Sequence, residues 1–81
     1  MYKNKNSDET LNICGSKIKE LRKSLNPYVS QRMLADKLQL LGIDLDKNAI
    51  QKIECGKRFV TDIEILAFAR VFNVNVDELL K

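Results

Sequence analysis

Between residues 29 and 79 one three-part signal recurs four times. A side chain able to cap a helix is preceded by an apolar residue and followed, four positions on, by a second apolar residue. The sets are Ser30 with Val29 and Leu34, Asp46 with Leu45 and Ile50, Thr61 with Val60 and Ile65, and Asn75 with Val74 and Leu79. In each, the capping oxygen can satisfy a free backbone N–H while the apolar pair packs as a staple across the first turn. Thr61-Asp-Ile-Glu64 completes a capping box, and Asn75-Val-Asp-Glu78 is a looser version of it. Four such starts leave little chain for anything but helices. Strand signals are correspondingly poor: the chain has no Asn-Gly or Asp-Gly turn, and apolar alternation is confined to 71–76.

A fifth helix precedes these. Cys14, Ile18, Leu21 and Leu25 recur at helical spacing, with Asn12 as the expected N-cap and Asn26-Pro27 as the stop. Gly15 weakens its first turn. The chain is therefore expected to be all-α, with five helices in one small domain over residues 11–81 and a polar, flexible tail over 1–10. The second helix, 30–41, is expected to bury Leu34, Ala35, Leu38 and Leu41 and to stop at Gly42. A short connection then leads to a third helix over 46–55 that ends at Gly56. The fourth segment, 61–72, is apolar nearly all round. Ile65, Leu66, Ala69 and Phe72 cover one side of it and Ile63, Ala67 and Val71 another, as befits a central helix or a subunit contact.

Composition narrows the chemistry. The chain has two cysteines and no histidine, which excludes a His-based triad, a His general base and a four-ligand His/Cys zinc site. No nucleophile–base pair stands out, so no enzyme, no cofactor, no metal and no small-molecule ligand is expected. The longest apolar run is the five residues 65–69, against about 20 for a membrane span. The first ten residues hold no apolar signal core, so the expected address is the cytoplasm. Residues 1–60 carry 12 Lys/Arg against 7 Asp/Glu, whereas 61–81 carry 2 against 4. That asymmetry assigns the front of the chain to an anionic partner.

The third helix is the expected reading surface. At about 100° per residue, Ala49, Ile50 and Ile53 share one side, and Lys47, Asn48, Gln51, Lys52 and Cys55 lie opposite, with Glu54 at the margin. Amide side chains bind adenine bidentately and ammonium groups donate to guanine, so this face suits base edges. Gly56-Lys57-Arg58 follows as a loop able to offer backbone N–H groups and two cations to phosphates. Two helices joined by a short glycine-containing turn form the helix-turn-helix outline. Cys55 lies among Lys52, Lys57 and Arg58, where oxidation would disturb that surface.

Ile18-Lys-Glu-Leu-Arg22-Lys, Ser30-Gln31 with Leu34-Ala35, Ile50-Gln-Lys-Ile-Glu54-Cys-Gly56-Lys57-Arg58, Ile65-Leu66-Ala67 and 72–80 together resemble the Cro/phage-repressor-type (XRE-like) helix-turn-helix family. The resemblance implies a compact five-helix lambda-repressor-like fold and sequence-specific binding of double-stranded DNA by a transcriptional regulator, repression ahead of activation. It also implies a homodimer, placed here on the C-terminal helices. Base contacts would come from Lys47, Asn48, Gln51 and Lys52, and phosphate contacts from Gln31, Arg32, Lys57 and Arg58. Arg22 and Glu54 would form a structural ion pair. From 35 to 50 the chain runs longer than the family's usual spacing, and Lys47 stands where members often carry glutamine. The competing function class is a protein-interaction module, antitoxin-like or accessory, built on the same fold.

Overall fold

The computed structural model describes residues 10–80. They fold into five helices: α1 (Gly15–Ser24), α2 (Gln31–Gln39), α3 (Lys47–Glu54), α4 (Asp62–Phe72) and α5 (Val76–Leu79). Three of the four repeated starts are capped by the side chain in question. Ser30 Oγ accepts from the Met33 N–H at 3.1 Å, and Asp46 Oδ1 accepts from Ala49 at 2.7 Å. Thr61 and Glu64 close a reciprocal capping box. Asn75 occupies the fourth N-cap position, but its side chain makes no capping bond. The eight staple residues are all buried or half-buried in the core.

The start of α1 differs from the expectation. Cys14, not Asn12, is the N-cap residue, and its side chain caps nothing. Asn12 still serves the helix from one turn back: its Oδ1 accepts from the Gly15 N–H at 2.7 Å. Its Nδ2 reaches across to the end of α3, donating to the carbonyls of Ile53 at 3.1 Å and Arg58 at 2.8 Å. One short side chain thus ties two helix ends together. Of the expected tail over 1–10, only Thr10 lies within the described residues, and it is anchored. Its side chain lies over Gly56, and the Leu11 N–H donates to the Gly56 carbonyl at 2.8 Å.

α2, α3 and α4 share one ending. Each closes on a left-handed residue, Gly42 (φ 81°), Gly56 (φ 76°) or Asn73 (φ 55°). Each then folds two N–H groups back on the last turn, as Ile43 to Leu38 and Gly42 to Gln39 do. Because this motif ends α2 at Gln39, the chain has already turned away by Leu41. Leu41 is consequently 42% exposed and Leu40 88%, a correction to the expected burial of Leu41. On α4, Leu66 (58%) and Ile63 (64%) are exposed rather than covered.

α4 packs against α1, α2 and α5, and α3 packs against α1 and α2. Ile18, Leu34, Leu38, Ile50, Ile53, Phe68 and Leu79 are fully buried where these helices meet. Each contributes about 1.5–3 kcal/mol relative to exposure. Phe68 stacks on Phe72 with ring centroids 6.5 Å apart. Among the described residues no helix is long and apolar enough to cross a membrane.

Candidate nucleic-acid interface

α3 turns Ile50, Ile53 and Glu54 inward and leaves Lys47, Asn48, Gln51 and Lys52 exposed. All four residues expected at bases therefore share one solvent-facing surface, with exposed Cys55 at its C-terminal end. The helix has 8 residues, shorter than the expected 46–55 because Asp46 and Cys55 are its caps. At about 1.5 Å per residue it is about 12 Å long. The other cysteine, Cys14, is buried, and burial pushes its thiol up from the ordinary value.

Glu54 is not marginal but buried, and it organises the inner side of α3. Arg22 Nε donates to Glu54 Oε2 at 2.8 Å and Nη2 to Oε1 at 3.0 Å, a bidentate fork. Arg22 Nη1 donates to the Val29 carbonyl at 3.1 Å and the Tyr28 hydroxyl at 3.2 Å. Hydrogen bonding to Glu54 raises the Arg22 guanidinium above its ordinary value despite its burial. The pair pins the C-terminal end of α3 to α1 and to the start of α2.

Two of the expected phosphate contacts are occupied differently. Gln31 Nε2 donates to Glu54 Oε1 at 3.0 Å. A carboxylate only accepts, so the amide nitrogen faces it, and this bond uses one of the two N–H groups of the Gln31 side chain. The Arg58 guanidinium forks onto Glu64 at 3.0 and 3.2 Å and donates to the Phe59 carbonyl at 3.0 Å. It braces the α4 capping box instead of reaching outward. Lys57 and Arg32 are exposed.

The Arg58–Glu64 fork has a pH consequence. Burial alone would raise the Glu64 carboxyl, but hydrogen bonds from Arg58 and Thr61 outweigh it and hold the group below its ordinary 4.5. A carboxyl lowered by folding contributes stability that is fully present above the unfolded value and fades as pH falls through the folded one. Glu64→Gln keeps an acceptor for the Thr61 N–H but loses the charge. Its denaturation midpoint is expected to fall below wild type at neutral pH and to converge with it as pH falls through the lowered Glu64 value. An equal deficit at every pH would contradict this account.

Sequence reasoning missed two cations. A groove of about 460 Å³ between α1 and the starts of α2 and α3 is lined by Lys19, Lys23, Arg32 and Lys47, with Arg22, Tyr28, Ser30 and Gln31 at its base and walls. Lys19 and Lys23 are four apart on the polar side of α1, opposite Ile18. Nothing local reveals that this side is continuous with α3. On the other flank of Lys47 the lining turns mixed, with Asp36, Asp44 and Asp46 beside Arg32. The positive surface therefore extends from α3 toward α1, away from the α2–α3 connection.

Comparison with protein-family models, with curated proteins and with solved structures finds no match to this chain.

Proposed function

We propose that this chain binds double-stranded DNA through the outward face of α3, as a helix-turn-helix domain of the Cro/phage-repressor type acting in transcriptional regulation. One observation carries the reading: Lys47, Asn48, Gln51 and Lys52 form an exposed helix face without an acid, and it runs into the basic groove of Lys19, Lys23 and Arg32. A helix entering a major groove about 12 Å wide meets base edges with its side chains, and amide and ammonium tips are the groups that read them. Phosphates on either side would meet Lys57 at the α3 exit, and Lys19, Lys23 and Arg32 at the α1–α2 side. The first N–H groups of α2 add to that second site, since no acid occupies its first turn. Gln31 and Arg58 also brace the protein's own scaffold, Gln31 holding Glu54 and Arg58 holding Glu64.

Binding to a duplex is expected to weaken linearly in log K against log salt, by about 0.9 per phosphate neutralised. Lys19→Ala/Lys23→Ala is expected to weaken all duplexes alike and to flatten the slope by about 2. A fluorescence-anisotropy titration over a salt series measures both. Absence of duplex binding, or binding indifferent to salt, would overturn the reading. A protein partner protecting 47–52 in its place would favour the interaction-module alternative.

A further inference from the structure

Tyr28 stands where the cationic groove meets the buried ion pair. It is 57% exposed and lines the groove together with Lys19, Lys23, Arg32 and Lys47. Behind it, Arg22 Nη1 donates to its hydroxyl at 3.2 Å and to the Val29 carbonyl at 3.1 Å, so one nitrogen fixes both the tip of the ring and the backbone beside it. An arginine only donates, so the Tyr28 oxygen is the acceptor in that bond and its own hydrogen points elsewhere. Among the described residues no acceptor takes that hydrogen. Arg22 itself is 4% exposed, and its four hydrogen bonds go to Glu54, Tyr28 and Val29. Its charge meets the groove through the tyrosine.

We infer that Tyr28 is a phosphate contact of the interface, an uncharged donor set among the lysines: its hydroxyl accepts from Arg22 and donates to a backbone phosphate that Lys19, Lys23 and Arg32 hold by charge. The inference rests on the DNA-binding reading and adds to it a residue that charge counting passes over. A guanidinium on the accepting side polarises the hydroxyl and strengthens it as a donor. Its bond to a charged acceptor is in turn shorter and stronger than a neutral one. The contacts then run from phosphate to Tyr28, to Arg22, and to Glu54 on α3. Lysines on flexible stems hold a phosphate from many positions. Tyr28, fixed from behind, sets where that phosphate lies relative to α3, and it carries no base preference of its own.

Tyr28→Phe removes the donated hydrogen and keeps the ring. Its helical circular dichroism is expected to match wild type, since Arg22 keeps Glu54 and the Val29 carbonyl. By fluorescence anisotropy on a short duplex of mixed sequence, the variant is expected to bind about tenfold more weakly than wild type at every salt concentration. The slope of log K against log salt is expected to stay unchanged, because a hydroxyl displaces no counterion. That separates it from Lys19→Ala/Lys23→Ala, where the slope flattens. Duplexes of the sequence that the wild type enriches, each with a single phosphate replaced by an uncharged methylphosphonate, then locate the contact. At one linkage within each bound site the two proteins are expected to agree within about twofold, because the charged acceptor is gone for both. Equal binding of variant and wild type at every salt concentration, a slope flattened as by a lost cation, or a deficit that persists at every linkage would overturn the inference and leave the DNA-binding reading standing. A wild type that binds no duplex would defeat that reading, and this inference with it.

Discussion

Replacing Gly15 with alanine is expected to lower stability by about 3 kcal/mol and the thermal midpoint by about 12–24 °C. Helix propensity alone predicts the opposite sign, since alanine in a helix is favoured over glycine by about 1 kcal/mol. The difference is the neighbour. A Cβ on Gly15 would run into the Ile53 carbonyl oxygen and come within 2.8 Å of Asn12 Oδ1. Neither can give way cheaply. The Ile53 carbonyl accepts from Asn12 Nδ2 at 3.1 Å and from the Gly56 N–H at 3.0 Å, and Asn12 Oδ1 holds Gly15 itself. Relieving the clash would pull the start of α1 off the end of α3. Thermal denaturation followed by circular dichroism decides between the signs, and a variant as stable as wild type would contradict the contact.

Arg22→Met is expected to cost about 3–5 kcal/mol, the range for stranding one member of a buried ion pair. The Arg22 and Glu54 side chains are 5% and 2% exposed, so water cannot replace the guanidinium. Gln31 would remain as a single donor to Glu54, and the Val29 carbonyl would lose its partner as well. In a domain whose whole stability is about 5–15 kcal/mol, this is a large fraction. Arg22→Met/Glu54→Leu removes the stranded charge with its partner, and it is expected to recover at least half of the loss in urea denaturation. Losses that add, the double variant falling below the single, would show that the pair is not the source of the effect.

How much of this was legible in the sequence follows the range of each interaction. The caps of Ser30, Asp46 and Thr61 were legible because donor and acceptor lie three residues apart, and the exposure of Lys47, Asn48, Gln51 and Lys52 because helical periodicity sorts faces. Arg22 against Glu54 came from a resemblance to known domains, not from spacing. The remaining features depend on which helices meet. Gly15 reads as a weak helix start until α3 is placed against it, and Asn12 reads as a cap until its amide is seen bridging to Ile53 and Arg58. Arg58 reads as a free cation until α4 brings Glu64 within reach of it. Lys19 and Lys23 are ordinary solvated lysines on an isolated helix. The exposure of Leu41 has a local cause: the left-handed Gly42 draws the chain out of α2 before the helical period reaches Leu41.

The central claim is that α3 reads base edges, and in-vitro selection of bound duplexes from a random pool, run on wild type and on Gln51→Ala, tests it most directly. The wild type is expected to enrich a defined sequence. The variant is expected to lose preference at one position, at a discrimination cost of about 1–3 kcal/mol, while keeping its salt slope. Identical enriched sequences from both proteins, or no enrichment by the wild type, would contradict the claim.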